Sequence, residues 1–227
     1  MKKLLLGTFI LLIIGLTGCQ KEMSDTVDQN KIYASYVLEY NSHQNVTYAR
    51  SNFHFSNITG TKLELAEPAL ITINGEIMPF KPLLALYEKE FIGVKESGNF
   101  QYSDLDGNVF NNTVTMVDSI NFPTNLDTIS RSETIELSWE GSPVQTNETV
   151  IITINGSGQN DGIIFTQTGV NATSIMLTQD KLSNLGLENA TFFIRRAKNI
   201  SANEVTSAGG NLIARYDGTP ITVYVKP

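Results

Sequence analysis

Apolar and polar side chains alternate with period two along much of this chain, and that pattern decides the fold class. In Thr134-Ile135-Glu136-Leu137-Ser138-Trp139-Glu140, Ile135, Leu137 and Trp139 share one face while the side chains between them face water. Such alternation predicts a half-buried antiparallel strand. Ile221-Thr222-Val223-Tyr224-Val225 repeats it, and Phe53-His54-Phe55 and Lys62-Leu63-Glu64-Leu65 do so more briefly. Between its two phenylalanines His54 is expected on the solvated face. Val150-Ile151-Ile152-Thr153-Ile154 is apolar enough to predict a central strand buried on both faces. No long stretch carries a 3.6-residue period, so the body is read as all-β. One segment departs from the pattern: Thr178 as N-cap, Leu182 and Leu185 three apart and a closing Gly186 predict a short helix. Pro79 to Tyr87, with Leu83, Leu84 and Leu86, fits either a strand or a turn of helix. Asn74-Gly75, Asn155-Gly156, Asp106-Gly107 and Asp217-Gly218 are turn pairs suited to positive φ.

The pentapeptide Ile-Thr-Ile-Asn-Gly occurs twice, beginning at Ile71 and at Ile152. It suggests two copies of one architecture, although strand-plus-turn words also recur by chance. Asn121-Phe122-Pro123-Thr124-Asn125 is polar and holds a proline that cannot donate to a ladder, so the boundary is placed there. Residues 31–120 and 121–227 are each close to the roughly 100 residues of an immunoglobulin-like sandwich. The inward Trp139 resembles the core tryptophan of immunoglobulin-like and fibronectin-like domains, which implies architecture alone. The expected fold is two tandem immunoglobulin-like antiparallel β-sandwiches.

Lys2 and Lys3 precede an apolar run from Leu4 to Leu16 that ends in Leu16-Thr17-Gly18-Cys19. The run is too short for a bilayer span of about 20 residues and has the layout of a cleavable signal. Leu16-Thr17-Gly18-Cys19 resembles the lipobox of bacterial lipoproteins. That resemblance implies cleavage of residues 1–18 and lipidation of Cys19. Cys19 is the one cysteine of the chain, so no intrachain disulfide can form and stability must come from the core. Losing Lys2 and Lys3 would take the formal charge from -7 to -9, so contact with the membrane is expected from the lipid alone. Residues 19–30, polar with Met23 and Val27 as the apolar exceptions, are expected to be a flexible tether. Lys21-Glu22, with Asp25 and Asp28 beyond, resembles the short acidic export signal of Bacteroidetes surface lipoproteins. Gln20 is not the aspartate that retains lipoproteins at the inner membrane of enteric bacteria, which favours the outer membrane by resemblance.

Sixteen basic against twenty-three acidic side chains, with no basic cluster, leave little to neutralise phosphates and speak against nucleic acid. With His43 and His54 the only histidines and no Gly-x-Ser-x-Gly elbow, a serine or cysteine hydrolase has little to work with. No zinc spacing, phosphate loop or dinucleotide fingerprint occurs, and no cofactor is expected. Glu64, Glu67, Glu76, Glu88, Glu90 and Glu96 could in principle supply a glycosidase pair, but nothing in the sequence selects two of them. Asp104, Asp106 and Asn108 resemble the opening of a calcium loop; Thr115 stands where the closing glutamate should be, and a hairpin turn explains the same residues. Asp25-Thr26-Val27, Asp118-Ser119-Ile120 and Asp127-Thr128-Ile129 resemble the O-glycosylation triplet of Bacteroidetes exported proteins, with Thr26, Ser119 and Thr128 as acceptors.

These readings point to a non-enzymatic, lipid-anchored protein of the outer membrane or cell surface that presents sandwich loops to an extracellular glycan or protein. Tyr33, Tyr48, Tyr87, Tyr102 and Tyr216 are candidate binding aromatics, with core packing as their alternative role. A structural accessory of an envelope or fimbria-like assembly, taking a partner strand on a sheet edge, is the second reading. A glycosidase-like enzyme is the third and requires a cleft with two facing carboxylates.

Overall fold

The computed structural model describes residues 22–158 and 162–227. The lipobox, Cys19 and the preceding apolar run lie outside the described residues. Strands dominate, and they follow one another as β1 (Glu22–Met23), β2 (Ile32–Asn41), β3 (Val46–Phe55), β4 (Lys62–Glu64), β5 (Leu70–Ile73), β6 (Glu76–Ile77), β7 (Phe80–Lys81), β8 (Leu86–Ile92), β9 (Ser97–Ser103) and β10 (Val109–Thr115). The second half continues with β11 (Ile120–Asn121), β12 (Thr128–Ser130), β13 (Ile135–Ser138), β14 (Glu140–Gly141), β15 (Glu148–Asn155), β16 (Gly162–Gln167), β17 (Ser174–Leu177), α1 (Gln179–Leu182), β18 (Glu188–Ser201), β19 (Gly210–Asp217) and β20 (Ile221–Lys226). The all-β class is as the alternation predicts.

Two cores form. In the first, Tyr36 and Leu38 of β2, Ala49 and Phe53 of β3, and Leu212 and Ala214 of β19 pack with Ile71, Ile73, Phe100, Tyr102 and Val114 of the β10-β9-β5-β6 sheet. In the second, Val150, Ile152 and Ile154 of β15, Phe192 and Ile194 of β18, and Val223 and Val225 of β20 pack with Leu137, Trp139, Ile175 and Leu177. Trp139 points inward as expected, its Nε1–H donating to the Ser142 carbonyl. Each apolar strand face is therefore covered by a second layer, the condition for a sandwich.

The division at residue 121 separates most of the two cores but needs one correction. The outer layers of both halves are one continuous sheet, ordered β1-β4-β3-β2-β19-β18-β15-β16. β18 starts in the second half beside β15 and β20, and its far end pairs with β19 from Arg195↔Asp217 to Ser201↔Asn211. β19 then lies parallel to β2, from Gly210↔Ala34 to Asp217↔Asn41. The stretch from the end of β18 through β19 thus belongs to the first half, and Tyr216 packs against both cores. Parallel pairs also join β1 to β4 and β12 to β20, so the sheet is mixed rather than purely antiparallel.

Residues 22–30 are not the flexible tether their polarity suggested. Glu22 and Met23 pair with Leu63 and Glu64, and Ser24 is buried with its Oγ accepting the Ala66 N–H. Gln29 is buried too, donating from Nε2 to the Ser24 and Val27 carbonyls. Satisfied polar side chains, not apolar ones, hold this segment to the body.

Local expectations fared unevenly. The 178–186 segment does form α1, but the Thr178 side chain makes no capping bond, and Thr134 Oγ1 accepts the Gln179 N–H in its place. Pro79–Tyr87 is a strand hairpin, β7 to β8, with Ala85 at φ 50°. Asn74 and Gly75 take positive φ at 51° and 82°, as does Gly107 at 82°. Asp217-Gly218 does not. Gly218 serves a close approach instead: a Cβ there would lie 2.5 Å from the Ile120 carbonyl oxygen. β15 is paired on both sides but lies next to the edge strand β16 rather than at the sheet's centre, and Ile151 and Thr153 are half-exposed, so one of its faces is open.

Candidate functional site

The outer face of the continuous sheet carries residues from both halves. Reading across it, β15 presents Ile151, Thr153 and Asn155, β18 presents Phe193 and Arg195, β19 presents Arg215 and Asp217, and β2 presents Glu39 and Asn41, because alternate residues of each strand fill the cores. The β2–β3 loop, with His43 and Gln44, rises on one side and Gly218 and Pro220 on another, and together they enclose a cleft of about 510 Å³. Phe193 is 38% exposed in it.

The cleft chemistry is amide-rich with an apolar plate. Asn41, Gln44, Asn155 and Thr153 offer neutral donors and acceptors around Phe193 and Ile151. Among the described residues Asp217 is the one carboxylate lining it, and Arg195 holds that carboxylate by a fork, Nε to Oδ1 at 2.5 Å and Nη2 to Oδ2 at 2.7 Å. The Asp217 hydrogen bond raises the Arg195 pKa above its ordinary value, which keeps the guanidinium charged in this pair. The two facing carboxylates that a glycosidase needs are not brought together among the residues lining this cleft.

Next to the cleft lies an ion network that sequence reasoning missed. Glu39 accepts from Arg50 Nη1 and Arg215 Nη1, each at 3.0 Å, with Arg195 Nη2 at 3.8 Å. Arg50 also donates from Nε to Glu88 at 2.6 Å. Burial acting alone would raise the Glu39 pKa, yet the Arg215 hydrogen bond and the charges of Arg195, Arg50 and Arg215 outweigh it and hold the carboxyl below its ordinary range. The network ties β2, β3, β8, β18 and β19 across the junction of the two halves.

The sequence-predicted residues are scattered. Asp104 is buried, its Oδ1 accepting the Asp106 and Asn108 N–H groups and its Oδ2 the Asn108 Nδ2, so the hairpin consumes the carboxylate. Among the described residues no group of three His, Cys, Asp or Glu is placed to hold a metal. Thr26, Ser119 and Thr128 are all exposed, the Thr26 hydroxyl donating to the Met23 carbonyl. Tyr87 and Tyr102 are core residues, and burial pushes Tyr87 up to about 12. Tyr48 reaches the cleft's rim through its hydroxyl, bonded to Gln44 Oε1, with Arg50 over its ring. His43 lines the cleft, exposed, as its loop composition suggested. His54 does face outward, but it is 8% exposed rather than solvated, and its Nδ1 has no partner among the described residues. Of the glutamates considered, Glu88 is joined to a second carboxylate, Glu39, through the Arg50 between them. Doublets were the missed signal: in Phe192-Phe193 and Arg195-Arg196, strand alternation must turn one of each pair outward.

No protein-family model matches the chain, and no curated protein matches it in sequence. Among solved structures it is similar to a tetra-tandem repeat from the extending region of a large adhesion protein, at 16% identity and a TM-score of 0.28, over 84% of this chain and 49% of that one. It is also similar to a structure concerned with host cell surface retention of a 1.5-MDa bacterial ice-binding adhesin, at 16% identity and a TM-score of 0.26, over 86% of this chain and 65% of that one. The FN1–FN3 domains of chicken CNTN1 match at 6% identity and a TM-score of 0.26, over 85% of this chain and 66% of that one. The chain spans about half the length of the first of these.

Proposed function

We propose that the protein is a lipid-anchored envelope protein that binds carbohydrate in the cleft between its two halves. The observation that carries this reading is the half-exposed Phe193 on the cleft floor, ringed by Asn41, Gln44, Thr153 and Asn155. A sugar ring has an apolar C–H face and an equatorial belt of hydroxyls. An aromatic plate covers the first, and planar amides with the fixed Arg195–Asp217 pair bond the second. No step in such binding needs catalysis. Strand addition is the weaker reading at β16, because Lys181 Nζ donates to the Ile164 carbonyl and places a charge on that edge. Anchoring through Cys19 at the outer membrane, with the body facing outward, follows from the lipobox resemblance and would put the cleft before extracellular glycans.

The test is affinity electrophoresis of the full chain against a panel of soluble neutral and acidic polysaccharides, with Phe193→Ala and Asn155→Ala beside it. Loss of the plate should weaken binding by about tenfold, the equivalent of ~1.4 kcal/mol. Retardation by no polysaccharide, or retardation that Phe193→Ala leaves unchanged, refutes the reading.

A further inference from the structure

The described chain begins at the end of the first sandwich where β3 and β4 turn. β1 runs parallel to β4, with Glu22 opposite Leu63, so traced backwards the chain heads towards Lys62 and the 56–61 loop. Gln20 and Lys21 alone separate Cys19 from Glu22. Three Cα steps of 3.8 Å reach at most about 11 Å, so an acylated Cys19 leaves the body little freedom to stand off a bilayer.

Exposed apolar side chains gather at the same end. Ile58 in the β3–β4 loop is 49% exposed, Leu84 is 52% exposed, and Leu83 and Pro82 beside it stand in solvent. Ile58 and Leu84 line one depression, and Lys62 Nζ donates to the Leu84 carbonyl at 3.5 Å, joining the β7–β8 turn to β4. Lysines flank the patch: Lys62 itself, Lys81 at the base of the turn, and Lys31, whose carbonyl accepts the Ser56 N–H. Glu22 on β1 and Asp28 ahead of Lys31 offset part of that charge. Apolar tips flanked by three lysines, on a chain whose formal charge without Lys2 and Lys3 is -9, suit the boundary between headgroups and acyl chains rather than water.

We propose that this end, carried by Ile58, Pro82, Leu83 and Leu84, is a membrane-docking face that seats on the bilayer receiving the acyl chains of Cys19. The proposal rests on the lipid-anchor reading and deepens it: the lipid holds the protein, and the face sets how it stands. Docking there directs the second sandwich, and with it Ile164 on the distal edge strand β16, away from the membrane.

The test uses the full chain, lipidated in a bacterial host and reconstituted into phosphatidylethanolamine–phosphatidylglycerol vesicles. With the Cys19 thiol acylated, Leu83→Cys supplies a single free thiol for a polarity-sensitive dye, and Ile164→Cys supplies the distal control. The expected result is a blue shift and quenching by lipid-borne quenchers at position 83 and neither at 164. Mass spectrometry of the Cys19 peptide separates the two ways of failing. An acylated peptide with position 83 as water-exposed as 164 overturns the docking face and leaves the anchor standing. An unmodified Cys19 overturns the anchor and the face together. A blue shift that persists without vesicles and grows with protein concentration assigns the patch to a second copy of the chain and also overturns the proposal.

Discussion

Replacing Glu39 by glutamine tests whether the ion network holds the two halves together. Breaking a fully buried ion pair by removing one partner costs about 3–5 kcal/mol. The Glu39 side chain is 11% exposed, while those of Arg50, Arg195 and Arg215 keep 25%, 37% and 33% of their surface, so water screens part of the loss. Glutamine also retains an acceptor for Arg50 or Arg215. The expected cost is therefore lower, about 2 kcal/mol, because three guanidiniums then face one another with Glu88 and Asp217 as the remaining counter-charges. For a chain of this size that lowers the melting temperature by about 4–8 °C. The acid limb supplies a second readout. Because the Glu39 carboxyl is depressed, the folded state binds fewer protons than the unfolded chain just below the ordinary glutamate value of about 4.3. Its contribution is complete above that value and is lost as the pH falls through the lower folded one, so the Glu39→Gln curve should be flatter there than the parent curve. A variant that melts within about 1 °C of the parent, with an unchanged acid limb, would refute the claim that the network carries the junction.

Two further perturbations probe single positions. Gly218→Ala places a Cβ 2.5 Å from the Ile120 carbonyl oxygen and 2.7 Å from Ile194 Cγ2, so it should lower stability by about 1–3 kcal/mol in urea titration, and an unchanged midpoint would show that the close approach is not what requires glycine. His54 is lowered from its ordinary pKa by burial and then by the Lys62 charge, so the unfolded chain protonates first as the pH falls below about 6.5 and stability drops; His54→Gln should remove that slope, and a slope left intact would place it elsewhere.

The strands were the legible part of this fold. Ile135, Leu137 and Trp139, or Val223 and Val225, announce their buried face because each alternate side chain contributes to one core. The ordering of residues 22–30 was not legible, since Ser24 and Gln29 are held by backbone groups of Ala66 and Leu105, and composition does not encode partners so distant in the chain. The burial of His54 was hidden for a similar reason. It does sit on the outer face as predicted, yet that face bends into a depression with Ile58 and Leu84 at its rim.

The cleft itself was beyond the reach of local pattern, and the reason is topological. Its walls are assembled by the β18–β19 crossing, which carries Arg195 to Asp217 and sets β19 parallel to β2 with Asp217 opposite Asn41. His43 and Gln44 come from the first half and Ile151, Thr153 and Phe193 from the second, so neither half contains the site alone. A boundary drawn at residue 121 marks where the cores divide, but the cleft belongs to the sheet that runs across it. The strands that line the cleft also carry Glu39, Arg195 and Arg215, and Arg50 on the neighbouring β3 completes their ion network, so cleft and junction are built from one sheet.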